Sequence, residues 1–188
     1  MEAQKTERII LGIDPGTTIM GYGLILQREK QIEFLSMGVI KLDKIKDSAL
    51  KLKKIFESTL SLIDEYHPDF LSIEAPFYGK NVQSMLKLGR AQGVAIAAAL
   101  FRTIPIHEYS PKEIKQSITG NGNASKEQVA AMLVRLLKIK DEFEYLDATD
   151  GLAAAVCHYF KGDSIIDSKS TSGGWKAFIS QNPNRIKK

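Results

Sequence analysis

The sequence predicts an α/β fold built on a mixed five-stranded sheet with helices on both faces. Three observations carry that expectation. Near the N-terminus, three apolar runs are separated only by short polar turns, the pattern of an antiparallel meander. Further along, two short apolar runs alternate with stretches whose apolar residues recur at helical spacing. Strands joined through such helices need crossovers, and crossovers cover both faces of a sheet.

Residues 8–14, RIILGID, form the first expected strand, which Pro15-Gly16 turns away from its line. Residues 20–27 and 32–40 are the next two, joined by the polar REKQ. From Ser48 to Tyr66, Leu50, Leu52, Ile55, Phe56, Leu60 and Ile63 mark one face of a helix that Pro68 ends. Residues 69–74, DFLSIE, read as a fourth strand. A long helix follows over 82–101, with Gly89, Gly93 and Ala97 in a row that admits close approach. That row suits either a second copy of the chain or packing on its own sheet. TIPIHEY, 103–109, is the fifth strand. Ser110 then caps a helix with Pro111 in its first turn. GNGNAS, 120–125, reads as a flexible joint, and Ser125 caps a helix through Lys138. The last helix spans 145–160, giving the order β-β-β-α-β-α-β-α-α-α.

Composition narrows the class. With 188 residues, 44% apolar and 26% charged, the chain fits one soluble domain, expected over 1–160. No stretch approaches the roughly 20 apolar residues of a membrane span, so no membrane partner is expected. MEAQKTER carries no apolar export segment, which points to the cytoplasm. Cys157 is the single cysteine, which excludes an internal disulfide and a zinc–cysteine cluster. The net charge of +4 sits in the tail 161–188, expected to be basic and flexible, where it either solubilises the end or meets a polyanion.

The chemistry lies in the acids. RIILGID and DFLSIEA each place one carboxylate, Asp14 or Glu74, at the end of an apolar strand. A right-handed crossover sets two such strands side by side and parallel, with both acids toward the edge where open α/β sheets bind ligands. Asp147 and Asp150, in LDATDG, are three apart and share a helix face. Each has a plainer reading. Asp14 could cap a turn or end a kinase phosphate loop, Glu74 could be an ordinary strand end, and the aspartate pair could complement a helix N-terminus. Were all four to converge, each like-charged pair near 4 Å would repel by roughly 4 kcal/mol at an effective dielectric of about 20. Protons or cations must then compensate, and oxygen-only ligands suit Mg²⁺ or Mn²⁺. Two such ions, bridged by a carboxylate, can activate a water against a phosphodiester.

ILGIDPGTTIMGYGLI, LSIEAPFYGKNVQSMLKLGRAQGVA, EYSPKEIKQSITGNGNASKEQV and DATDGLAAAVCHYF together resemble the RuvC family of bacterial Holliday junction resolvases. The resemblance covers about 8–160 in unbroken order. It implies an RNase H-like nuclease domain, a homodimer, and Mg²⁺-dependent symmetric nicking of four-way junction DNA, with two ions per site and Mn²⁺ able to substitute. RuvA and RuvB would be the partners that bind and migrate the junction. By position, Asp14, Glu74, Asp147 and Asp150 fall on the family's catalytic, metal-binding residues. Family members carry aspartate or histidine where Asp147 stands, so its role is the least fixed. Phe77 matches an aromatic that stacks on a base, against a core-packing alternative. Lys115 and Lys126 match basic residues near the scissile phosphate, and Lys80, Asn81 and Lys87 flank the second motif as weaker backbone contacts.

One departure stands out. Gly89-Arg90-Ala91-Gln92-Gly93 replaces the expected Gly-Gln-Ala-Arg-Gly, which moves a positive charge to another side of the helix and leaves Arg90 without an assigned role. Rival functions are weaker. An actin-like or sugar-kinase ATPase needs a second lobe, and the chain has no GxxxxGK[ST] loop. Glycines 12, 16, 21 and 23 are therefore read as turn and strand-packing residues. A ribonuclease acting on RNA–DNA hybrids is the nearest enzymatic rival, and a non-catalytic junction-binding protein would lack one of the acids. His67, His107 and His158 have no ligand spacing and read as structural, although His107 ends a strand and could approach DNA.

Overall fold

Alternation along the first strand sets the architecture. In β1 (Glu7–Asp14), Leu11 and Ile13 point to one face of the sheet and Ile10 to the other, all of them buried. β2 (Ile19–Arg28) and β3 (Gln31–Lys41) complete an antiparallel meander on one side of β1. On the other side β4 (Phe70–Glu74) and β5 (Ile106–Tyr109) add in parallel, giving the order β3-β2-β1-β4-β5. The computed structural model describes residues 7–76, 81–139 and 146–167.

Helices cover both faces, as the pattern predicts. Leu11, Ile13, Leu71 and Ile73 pack beneath α1 (Ser48–Tyr66) and α2 (Val82–Phe101). The opposite core joins Ile10 and Ile25 to α3 (Pro111–Thr119), α4 (Lys126–Leu137) and α5 (Leu146–Asp167). Asp47 caps α1 through Leu50 N–H, and the chain leaves α1 through His67 in the left-handed region. Ser110 with Glu113, and Ser125 with Gln128, form the two capping boxes that start α3 and α4.

Three expectations need adjustment. β5 begins at Ile106 rather than 103, because the end of α2 claims the intervening residues: Thr103 and Ile104 donate their N–H groups to Leu100 and Ala99. The segment 120–125 is a tied turn rather than a flexible joint. Gln116 donates to Gly120 O at 2.6 Å and accepts from Gly122 N at 3.0 Å. Finally, α5 continues to Asp167, past the expected end at 160. Phe77 and Lys80, together with the tail from 168 onward, lie outside the described residues.

Candidate active site

The parallel ladder between β1 and β4 ends at Ile13 opposite Ile73, so the next residues, Asp14 and Glu74, stand side by side at the carboxyl edge. Period-two alternation turns both toward α5. The preceding residues on that face are Gly12 in β1 and Ser72 in β4, and the buried Ser72 hydroxyl donates to Ala154 O of α5 at 2.6 Å.

Glycines decide how closely α5 lies on the sheet. A β-carbon on Gly12 would fall 2.1 Å from Gly151 O, and one on Gly21 would fall 1.9 Å from Asp147 O. One on Gly23 would meet the Leu152 α-carbon at 2.4 Å. Backbone therefore rests almost on backbone, and the first turn of α5 is lowered onto the end of β1. That contact brings Asp147 and Asp150 to the edge that already holds Asp14 and Glu74. The packing role expected of glycines 12, 21 and 23 holds.

Electrostatics record the convergence. Burial, then the charge of Asp150 and to a lesser degree Asp147, push the Asp14 carboxyl up to about 7 against the pull of Lys126. Burial, then Asp14 and Asp150, raise Glu74 to about 8, with Lys126 and Lys115 opposing. Burial also raises Asp150, and Lys126 offsets part of that shift. The Lys126 ammonium pairs directly with Asp150 and lies 3.6 Å from Asp147. Asp147 is the more open of the two α5 acids, with 44% of its side chain exposed against 15% for Asp150.

Four carboxylates and two lysines thus share one edge. Among the described residues no three acidic or histidine side chains close around a single point as they lie. The donor set still fits a hard dication, because every candidate ligand is a carboxylate oxygen and Asp14, Glu74 and Asp150 resist ionisation unless a cation joins them. The histidines take no part in it. His158 is buried, bonded to Tyr109 at 2.8 Å, and stacked on His107 at a centroid distance of 4.2 Å. Cys157 is buried in α5.

Two supporting residues escaped the motif reading. Gln92, buried on α2, donates to Glu108 Oε2 at 2.7 Å and to Glu74 O at 3.4 Å, so it steadies the backbone that carries Glu74. Its signal was an amide on a helix face otherwise made of Ala91, Ala95, Ala98 and Ala99. Lys51 of α1 donates to Thr17 O at 2.8 Å and ties down the turn behind Asp14. No local motif foretells a bond across that distance in sequence.

Acids at the ends of two adjacent parallel strands, faced by acids on a helix that crosses the sheet, are the layout of the RNase H-like class of nucleases. Comparison with known proteins narrows the class. The family described as crossover junction endodeoxyribonuclease RuvC matches residues 10–158. A relative of that description from Christiangramia forsetii is 62% identical, covering 97% of this chain and 95% of its own. A more distant one from Histophilus somni is 45% identical over 80% of this chain and 78% of its own. Among solved structures, T. thermophilus RuvC in complex with Holliday junction substrate superposes with a TM-score of 0.77. That pair is 27% identical, covering 84% of this chain and 96% of the other. The yeast mitochondrial Holliday junction resolvase, at 16% identity and a TM-score of 0.63, shares the fold. The chain belongs to the RuvC family.

Proposed function

We propose that this chain is a structure-selective endonuclease that resolves Holliday junctions by paired symmetric nicks, in DNA recombination and repair. The observation that carries the reading is the meeting of Asp14 and Glu74 with Asp150 at one edge, where burial and mutual repulsion leave them short of positive charge. Asp14, Glu74, Asp150 and the more open Asp147 would hold two Mg²⁺ ions, with Mn²⁺ an acceptable substitute. Bound there, the ions supply a water acidified toward neutrality and positive charge for the departing oxygen.

The chain's own groups do the rest. Glu74 and Asp14 fix the edge against which the phosphodiester lies, because Gln92 and Lys51 hold the backbone on either side of them. Lys126, which pairs with Asp150 and lies near Asp147, and Lys115 would supply positive charge to the DNA phosphates at this edge. Phe77 and Lys80 would follow Glu74 onto the DNA, Phe77 by stacking on a base.

A symmetric pair of nicks needs two sites, and α2 offers the surface that joins them. Val82 and Leu86 are 64% and 60% exposed on one stripe of the helix. Gly89 and Gly93 on that stripe face open space rather than their own sheet, which favours the second-copy alternative for the small-residue row. We therefore read the protein as a homodimer that works on junctions prepared by RuvA and RuvB in the cytoplasm.

A substrate panel tests the reading. The protein is incubated with a four-way junction, a linear duplex and an RNA–DNA hybrid, each with and without Mg²⁺. Paired nicks confined to the junction and dependent on the ion are expected. Cutting of the hybrid, or binding of the junction without any cutting, would contradict it.

A further inference from the structure

A pocket of about 270 Å³ opens between the turn after β1, the start of α1 and the first half of α2. Lys46, Lys51, Lys87 and Arg90 line it beside Thr17 and Thr18, and none of the described lining residues is a carboxylate. Thr17 lies three residues beyond Asp14, and the bond from Lys51 to Thr17 O makes the pocket part of the turn that ends the catalytic strand.

Four cations around so small a space repel one another unless an anion joins them. The remaining walls are Ser48 and the aliphatic Leu52, Ile55 and Ala91, and none of the described lining residues is an aromatic on which a base could stack. The space suits a single phosphate group rather than a nucleoside, and the planar fork of Arg90 suits two of its oxygens at once. The order of Arg90 and Gln92 now acquires a physical sense. Gln92 supports Glu74 from within the fold, while Arg90, two positions back, reaches the pocket.

We propose that this pocket holds a backbone phosphate of the bound DNA, away from the cut, with Arg90 as its principal contact. The proposal rests on the reading of the chain as a DNA endonuclease. It adds a second anchor on the α1/α2 side of the edge, opposite the α3/α4 side that carries Lys115 and Lys126. Such an anchor sets the strand's direction across the acids, because two separated phosphate contacts fix a line where one fixes only a point.

Binding of a labelled four-way junction by the full-length protein, in chelator and over a series of salt concentrations, tests it. Arg90→Gln and the double variant with Lys87→Gln are expected to weaken binding several-fold and to lower the slope of log affinity against log salt by about 1 for each phosphate no longer held. Arg90→Lys should recover part of the affinity, and thermal unfolding of all three should match the parent, since Arg90 and Lys87 are exposed. Parental affinity and slope in the double variant would overturn the proposal. Inorganic phosphate that binds the parent and not Arg90→Gln, with DNA affinity unchanged, would assign the pocket to free phosphate and also overturn it. Failure of the parent to cut a junction, with an Arg90-dependent slope on duplex DNA, would remove the functional reading and leave the pocket standing.

Discussion

Asp14 and Glu74 make the site at the expense of the fold. A carboxyl whose folded pKa lies above its unfolded value contributes stability below the unfolded pKa, and that contribution is lost as pH rises through the folded one. For Asp14 the window runs from about 4 to about 7. The stability of Asp14→Asn relative to the metal-free parent should therefore grow from pH 4 to pH 8 by about 2–4 kcal/mol, read from urea midpoints at each pH. A difference that stays flat would mean that the carboxyl is not desolvated. His158 works in the opposite sense. Burial, then the positive charges of His107 and Arg8, lower it to about 4, so its contribution is complete above about 6.5 and is lost as pH falls through 4. His158→Phe leaves Tyr109 without its partner at every pH. It should nevertheless abolish about 2–3 kcal/mol of the parent's stability loss over that acid window.

At the scale of elements, α5 is the part on which the site turns. Gly21→Ala would drive a β-carbon into Asp147 O, with no flexible side chain able to give way. The first turn of α5 must lift, carrying Asp147 and Asp150 off the edge. Cutting should fall about 100-fold or more, since a displacement near 1 Å at a reacting centre has that effect. Far-ultraviolet circular dichroism should meanwhile show the helices retained; wild-type cutting by a folded Gly21→Ala would show that α5 does not depend on this contact. Much of this was legible in the sequence. Apolar runs ending in Asp14 and Glu74 gave the parallel pair, and Ser110 and Ser125 gave the starts of α3 and α4. What stayed hidden depended on distance in space. Gln92 reaching Glu74, Lys51 reaching Thr17 and the pairing of Lys126 with Asp150 are made by tertiary packing, which no local spacing encodes. Thr103 and Ile104 misled because β-branched residues favour strands, yet their N–H groups are taken by the end of α2.

The whole molecule presents an acidic edge and, on α2, an apolar stripe through Val82 and Leu86 that none of the described residues covers. A charge placed in the middle of that stripe should separate the copies without touching either core. Leu86→Glu is expected to weaken self-association about tenfold or more, measured by sedimentation, and to turn paired nicks into single ones. A monomeric parent that still makes paired nicks would remove this part of the account. Everything else depends on the edge itself. The direct measurement is calorimetric titration of Mg²⁺ into the parent and into Asp14→Asn, followed by junction cutting on the same samples. The account predicts that the parent binds the ion and cuts, while Asp14→Asn stays folded and holds the junction but neither binds Mg²⁺ with parental affinity nor cuts. Undiminished cutting by Asp14→Asn would contradict it.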